Sequence, residues 1–229
     1  FLEKAGQEKH DDGSDFHTGF FLGFLYLADG KHSTDLQGIV KTMSTSTYKA
    51  GGGNGNWHIC MSALFLAEYY RRNPSDVLKQ RLIEVLKRAE TNQEATGGWG
   101  HDHGYVAYAG RGQDGKDVVD LGILTAMMFS AMLEMREAGL PVPPKMLDAA
   151  RKNLEANSDG LGIAYGTGNP APDSSMGRGA FAWLGLKAAR ERSCTLYEGI
   201  PKGLRERVKD VHTGHAYPPL HFMGVALAT

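Results

Sequence analysis

The sequence has little cysteine, no long apolar run and no excess of charge, and each absence excludes a class of protein. Cys60 and Cys194 are the only two cysteines in 229 residues, too few and too far apart for a disulfide framework or a zinc knuckle. The most apolar stretch, 121–133, is shorter than the roughly 20 residues that span a bilayer. With a net charge of −1, nothing indicates a nucleic acid or an anionic membrane as partner.

The composition is typical of a globular domain, with 41% hydrophobic and 22% charged residues. The length suits one large domain, so we predict a single domain over residues 1–229. The chain starts at Phe1 without a methionine and stops at Thr229, directly after an apolar run. We therefore expect a fragment of a longer protein, and any targeting signal would then lie outside it. Its compartment is not predicted.

A junction in which a helical segment runs into Gly-rich sequence carrying an aromatic residue occurs three times. The copies are 4–16, 87–100 and 151–165. In each, Gln or Asn precedes an Asp-Gly or Gly-Gly turn. A junction that recurs in this way indicates a chain built from repeated helical units.

Two kinds of helix alternate between the junctions. The first kind has one apolar stripe and one charged face; it includes 78–89, 143–156 and, more weakly, 203–211. The second kind is apolar nearly all round, as a helix surrounded by neighbours must be; it includes 17–29, 57–70, 121–135, 177–190 and 216–228. No segment sustains the alternation of a strand. These patterns predict an all-α protein.

The alternation further predicts an α/α toroid, in which inner helices surround a cavity and outer helices cover them. Five inner helices predict about five helical hairpins, an incomplete ring. In such a ring the loops that enter the inner helices all open at one end of the cavity, so residues distant in sequence meet there. Asn56 and Asp120 each lie at the start of an inner helix and are expected to cap it.

The segment Gln93-Glu-Ala-Thr-Gly-Gly-Trp99 resembles the second half of the Gln-Trp repeat of squalene and hopene cyclases. Residues 7–16 and 157–165 are degenerate copies of it. The chain thus resembles the α/α toroids of the terpenoid cyclase and protein prenyltransferase superfamily, which implies that fold and a central cavity. Residues 62–70, the turn 97–101 and the segment 213–215 more closely resemble a family of uncharacterised bacterial toroid proteins.

The catalytic motifs of that superfamily do not match. Cyclases of the hopene type carry an Asp-x-Asp-Asp motif, whereas the order here is Asp11-Asp-Gly-Ser-Asp15. Prenyltransferases place a zinc-binding cysteine just after an aspartate pair, whereas Cys60 follows Trp57-His58-Ile59. The resemblance therefore implies a fold and the position of a cavity, and it transfers no active-site residue.

Histidines are concentrated in the loops and first turns that enter the inner helices. They are His58, His101, His103, His212, His215 and His221, with His10 and His17 in the equivalent place of the first repeat. Imidazole binds transition metals and titrates near neutral pH. The clustering therefore predicts metal binding or proton transfer, and the alternative is a structural role in bonding the backbone of Gly-rich loops.

The sharpest motif among these residues is His101-Asp102-His103. Alternate residues of an extended loop point the same way, so the two histidines could hold one divalent metal, such as zinc, with Asp102 as the partner of a ligand. No cofactor other than this possible zinc is predicted.

Carboxylates, phenols, indoles and guanidinium groups accompany the histidines in the loops. The candidate catalytic residues are His101, Asp102, His103, Tyr105 and Asp173. The candidates for binding substrate are Trp57, His58, Tyr108, Arg111, Tyr165, Arg178, His215 and Tyr217. Aromatic faces stack on sugar rings, arginine binds carboxylates, and imidazole and phenol groups transfer protons.

These residue types predict a polysaccharide-active lyase or hydrolase, with a glycan or another small molecule in the central cavity. Histidine and tyrosine with an arginine suit β-elimination from an acidic polysaccharide, whereas paired carboxylates suit hydrolysis. Two alternatives stay open: a non-catalytic module that binds glycan or peptide through the same loops, and the cyclase-like or prenyltransferase-like enzyme that the resemblance implies.

Overall fold

The computed structural model describes residues 14–45, 55–104, 117–168, 176–207 and 218–228. These ranges contain nine helices: α1 (Ser14–Asp29), α2 (Ser33–Thr45), α3 (Gly55–Arg72), α4 (Asp76–Asn92), α5 (Gly122–Glu137), α6 (Pro144–Ala156), α7 (Met176–Ala189), α8 (Leu196–Arg207) and α9 (Pro218–Ala228). These ranges contain no strand, and β-bridges occur only at single residues, between Ser158 and Ile163 and at Val118. The predicted all-α class is confirmed. None of the helices described is both long enough and apolar enough to cross a membrane.

Alternate helices, here called the core helices, form a consecutive series: α1, α3, α5, α7 and α9. Each packs against the next one in the series. The most enclosed is α5, in which every residue from Gly122 to Met135 is buried, because its side chains are apolar nearly all round. The five segments predicted to be apolar on all sides match these helices to within three residues at each end.

The other four helices, α2, α4, α6 and α8, are here called the flanking helices, and each packs on the core helix that precedes it. Helix α4 buries the stripe that its sequence predicts: Leu78, Leu82, Val85, Leu86 and Ala89. The hydroxyl of Ser75 caps it by accepting a hydrogen bond from the backbone N–H of Leu78 at 3.3 Å. One buried face and one charged face are what keep such a helix on the outside of the core.

The sequence predicted two flanking helices well and two poorly. Helix α8 begins at Leu196, several residues before the predicted 203, and residues 208–211 lie outside the described ranges. Helix α2 was not predicted, because it is rich in serine and threonine and only Val40 and Met43 are buried along it. Those residues have modest helix propensity, so packing on α1 and α3 rather than local preference stabilises this helix.

The core helices run in the same direction, because a flanking helix returns the chain between each of them and the next. Residues in the C-terminal half of all five core helices line one common cavity. We call this side of the protein the cavity end. The opposite side, formed by the first turns of the core helices and the described parts of the loops beside them, is the loop end.

The Gln93–Trp99 turn joins three helices. Trp99 is fully buried, its indole N–H donates to the carbonyl of Ala89 at 2.8 Å, and its backbone N–H donates to Oγ1 of Thr125 in α5 at 3.2 Å. The Gln93 amide donates to the carbonyls of Gly97, at 2.8 Å, and of Met146 in α6, at 3.0 Å. Gln93 and Trp99 therefore have a structural role, which is to fix α4 against α5 and α6.

The backbones of α5 and α7 approach closely at Gly185. A Cβ atom added at this glycine would lie 2.5 Å from the Cα atom of Ser130, closer than real Cβ contacts allow. The interface between α5 and α7 thus depends on a position that has no side chain.

Replacement of Gly185 by alanine is expected to lower the free energy of unfolding by about 1–3 kcal/mol, because α5 and α7 must move apart to admit the methyl group. The matched control is Gly38→Ala, on the exposed face of α2, where an added Cβ meets nothing within 4 Å. That change should instead raise stability by about 0.5–1 kcal/mol, because alanine is the better helix former. Urea denaturation of both variants measures the difference; a shift of the same sign in both would contradict close packing at Gly185.

Candidate functional site

Three imidazoles and one indole meet at the loop end. His17 lies in α1, Trp57 and His58 lie in the first turn of α3, and His101 lies in the loop after α4. The ring centroid of His17 is 6.2 Å from that of Trp57 and 6.3 Å from that of His58. The indole N–H of Trp57 donates to Nδ1 of His101 at 2.9 Å. We call these four residues the imidazole cluster.

The loop that carries His101 is held directly against the start of α3. The backbone N–H of Asn56 donates to the carbonyl of His101 at 3.1 Å. The Oδ1 atom of Asp102 lies 3.0 Å from the position of a Cβ atom on Gly55, so only glycine lets the loop approach this closely. His101 and Asp102 are both half-buried beside the start of α3, and their roles in catalysis stay predictions.

The half-buried imidazoles of His58, in α3, and of His101, in the loop, both favour the neutral form. Burial lowers the pKa of His101, and the bond from Trp57 requires Nδ1 to be unprotonated, which places the proton of the neutral ring on Nε2. Burial also lowers the pKa of His58, and the positive charge of nearby His17 lowers it further. At neutral pH these rings can therefore accept a proton.

His103 has a different environment from His101. Its ring is 54% exposed, and its Nδ1 atom lies 3.5 Å from Oε1 of Glu94. That same oxygen accepts the backbone N–H of Gly104 at 2.8 Å, so Glu94 holds the turn. In the part of the chain that the structure describes, no group of three or more His, Cys, Asp or Glu side chains is placed to hold a metal ion. The predicted zinc pair of His101 and His103 thus has no third protein ligand there.

Tyr165 repeats the position of His101 one unit later. The backbone N–H of Gly122, at the start of α5, donates to the carbonyl of Tyr165 at 2.7 Å, as that of Asn56 does to His101. Arg178, in the first turn of α7, is 2% exposed; its Nε–H donates to the carbonyl of Ile163 at 2.9 Å, and its guanidinium carbon lies 5.7 Å from the Tyr165 ring centroid. Arg178 therefore fixes the loop, and the roles of both residues in binding substrate stay predictions.

The predicted caps Asn56 and Asp120 are wrong, because these side chains link helices instead. Asn56 lies within the first turn of α3, and its Oδ1 atom accepts from Asn92, the last residue of α4, at 2.9 Å. Leu121 occupies the cap position of α5. The buried carboxylate of Asp120 accepts from Asn153 in α6 at 2.9 Å, and from the backbone N–H and the hydroxyl of Thr167 at 2.7 and 2.6 Å.

The remaining predicted site residues lie outside the described ranges. They are Tyr105, Tyr108, Arg111, Asp173, His215 and Tyr217. Their assignment to catalysis or to substrate binding stays a prediction.

The two cysteines are not nucleophiles in this fold. Both are buried. Burial raises the pKa of Cys60 far above its ordinary value and that of Cys194 to about 12. A thiol with such a pKa is almost entirely protonated at neutral pH, and the thiol is a weak nucleophile.

The cavity end carries a second cluster of polar side chains, which the sequence did not predict. A cavity of ≈ 280 Å³ is walled by apolar side chains from the core helices, and it contains the charged groups of Glu68, Arg71, Arg72, Glu134 and Lys187. We call it the carboxylate cavity. Its five polar residues come from three different core helices, α3, α5 and α7.

Glu68 and Glu134 differ sharply in their surroundings. Glu68 accepts hydrogen bonds from Arg71 at 2.9 Å and from Arg72 at 2.7 Å. The Glu134 side chain is 4% exposed, and its Oε2 atom lies 3.9 Å from the nearest Arg71 nitrogen, so no described residue donates a hydrogen bond to this oxygen. The pKa of Glu134 is well above its ordinary value, because burial penalises the charge and the neighbouring Glu68 carboxylate repels it.

One signal in the sequence could have revealed Glu134. It is the only charged residue in 121–135, a segment that is otherwise apolar nearly all round. A charge in such a segment must be buried with its helix, and buried ionisable groups often mark functional sites. Glu68 and its arginines gave no such signal, because charged residues are ordinary at the end of a helix.

These features define an all-helical protein with an imidazole cluster at one end of its core helices and a buried carboxylate at the other. The family model described as Domain of unknown function (DUF6288) matches residues 7–222. The chain belongs to this family. No curated protein and no solved structure matches it.

Replacement of Trp57 by phenylalanine is expected to raise the pKa of His101, because the lost hydrogen bond keeps Nδ1 unprotonated and so opposes protonation there. The neighbouring His17 and His58 keep their places in this variant. NMR titration of the imidazole C–H signals measures the change, with His32 at the far end of α1 as an internal control. An unchanged His101 would contradict a tautomer held by Trp57.

Replacement of Glu134 by glutamine is expected to stabilise the protein, and increasingly so as pH rises. The native pKa lies above the unfolded value, so ionisation of the unfolded chain between the two values lowers the stability of the wild type. Between these two pKa values the wild type loses about 1.4 kcal/mol of unfolding free energy relative to the variant for each pH unit, and above them the difference is constant. The groups that face Glu134 are Glu68, Arg71, Arg72 and Lys187, and all are unchanged.

Urea denaturation from pH 5 to pH 9 measures this difference between the variant and the wild type. Glu137→Gln, one turn later on the exposed end of α5, is the matched control and should show little dependence on pH. Parallel curves for the wild type and the Glu134 variant would contradict a raised pKa.

Proposed function

We propose that the protein is an α/α toroid and that its loop end is a carbohydrate-active site. The toroid is supported by five core helices that pack in series and run in the same direction, with a flanking helix between each of them and the next. In this arrangement the loops that enter the core helices come together at one end. The imidazole cluster lies at that end, and it is built from two core helices and one such loop.

The observation that carries the proposed site is the neutral imidazole of His101, held by Trp57. A ring whose pKa is lowered by burial is a competent base at neutral pH. The half-buried indole beside it offers an aromatic face, and such faces stack on sugar rings. A group that orients a sugar and a group that removes a proton thus lie in direct contact.

The chemistry that fits these groups best is β-elimination from a uronate. The base takes the proton from the carbon next to the carboxylate, a carbon–carbon double bond forms, and the bond to the glycosidic oxygen breaks. The glycosidic oxygen stays on the sugar that is released, and it takes up a proton. His101 or His58 would serve as the base, and the imidazolium that it becomes would give this proton to the leaving oxygen.

Hydrolysis by two carboxylates has weaker support at this end. Asp120 is buried and accepts three hydrogen bonds from Asn153 and Thr167, and Glu94 holds the turn at Gly104. Both carboxylates therefore stabilise the loops. A glycosidase needs instead two carboxylates that flank the scissile bond.

The test is a panel of acidic polysaccharides, with polygalacturonate, alginate and hyaluronan as probes, in which ultraviolet absorbance reports new unsaturated ends. His101→Ala and His58→Ala are each expected to lower the rate by about 10²–10⁴-fold, the usual contribution of a general base. His32→Ala is the matched control, because His32 lies outside the cluster against Asp29 and Asp35, and it should leave the rate unchanged.

Absence of product across the panel would overturn the lyase assignment. Saturable binding of one polysaccharide without product would then favour a non-catalytic glycan-binding module. Equal activity of the wild type and both cluster variants would place the chemistry elsewhere in the chain.

A further inference from the structure

The carboxylate cavity has the size and the lining of a small-molecule site. Its volume of ≈ 280 Å³ is near the lower limit for ligand pockets and would hold roughly ten non-hydrogen atoms. Much of its wall is apolar, with Phe24 from α1, Leu64 from α3, Leu184 from α7 and Leu227 from α9. An occupant of this cavity must therefore bury an apolar body.

The charges in the cavity favour an anion. Arg71, Arg72 and Lys187 supply three positive charges, whereas Glu68 and Glu134 supply two carboxylates. Positive charge is in excess even when both carboxylates are ionised. Glu68 is bound to both arginines, and the Lys187 ammonium makes only a long contact, at 3.4 Å, with the carbonyl of Ala228.

Glu134 adds to this excess of positive charge. It is almost fully buried and it lines the cavity. Burial, repulsion by the Glu68 carboxylate and a hydrogen bond with the Glu68 side chain all favour a proton on Glu134. The two carboxyl groups then share one negative charge.

These three observations converge on one chemical class. A carboxylate ligand would pair with the cations, while its hydrocarbon part covers the apolar wall. A neutral molecule would lack this pairing, and an organic cation would be repelled by the cations.

We propose that the carboxylate cavity binds a small amphipathic carboxylate, such as a medium-chain fatty acid or an aromatic acid, at a site separate from the imidazole cluster. The ligand lies among the C-terminal halves of the core helices. Binding therefore bridges core helices that are distant in sequence, and it stabilises the folded protein.

Isothermal titration calorimetry with octanoate tests this proposal directly. Octanol and octylammonium are the matched neutral and cationic probes, and acetate lacks the apolar body. We expect saturable binding of octanoate alone, at least tenfold tighter than that of the other three. Comparable binding of octanol or octylammonium would overturn the charge argument, and no binding of octanoate would overturn the site.

Two variants locate the ligand. Lys187→Met keeps the apolar stem and removes the charge, and it should weaken octanoate binding at least tenfold, because a charge-assisted contact is lost. Ala188→Trp keeps every charge and fills the cavity, so binding should vanish. Lys202→Met, on the exposed face of α8, is the matched control. Circular dichroism verifies that each variant is folded, and undiminished binding by both cavity variants would contradict the proposal.

The proton on Glu134 gives a further readout. Octanoate stays ionised between pH 6 and pH 9, so its own charge does not change in this range. A loss of octanoate affinity as pH rises therefore reports the ionisation of Glu134. The other groups that face Glu134 are Glu68, Arg71, Arg72 and Lys187. Glu134→Gln retains a donor and cannot ionise, so its affinity should not change across this range. His101→Ala must leave octanoate binding intact, and loss of binding in that variant would move the ligand to the loop end.

Discussion

The burial of α5 on all sides is the constraint on which the rest of the structure depends. Every residue from Gly122 to Met135 is enclosed by neighbouring helices, so polar groups on this helix must find partners inside the protein. The Thr125 hydroxyl does so by donating to the carbonyl of Leu121 and accepting from the backbone of Trp99. Ionisable groups are consequently found at the two ends of the helix, with Asp120 just before it and Glu134 in its last turn.

The ends of the core helices are joined by a repeated device. Asparagines near the ends of two successive flanking helices, Asn92 and Asn153, donate to Asn56 and Asp120 at the starts of core helices. Backbone bonds from Asn56 and Gly122 to the loop carbonyls of His101 and Tyr165 repeat as well. The loops therefore have fixed positions, which is what allows side chains from separate repeats to form one imidazole cluster.

The same physical effect acts at both ends with opposite consequences. Burial disfavours charge, so it lowers the pKa of His58 and His101 and raises that of Glu134. At the loop end this yields neutral bases, and at the cavity end it yields an acid that retains its proton. The two histidines therefore lower the stability of the fold as pH falls, and Glu134 lowers it as pH rises. Such a loss of stability is usual for a polarised functional site.

The sequence by itself determined the all-α class, the five core helices and the placement of His58 in the first turn of a core helix, because these follow from local periodicity. It did not determine α2, whose few buried side chains leave no periodic pattern, or the roles of Asn56 and Asp120, whose partners lie more than thirty residues away. The toroid, the zinc pair and the carbohydrate substrate stay predictions. Only the tertiary structure decided that Glu68, Glu134 and Lys187 share a cavity, because the distances between three helices are set by packing and are not encoded in any one segment.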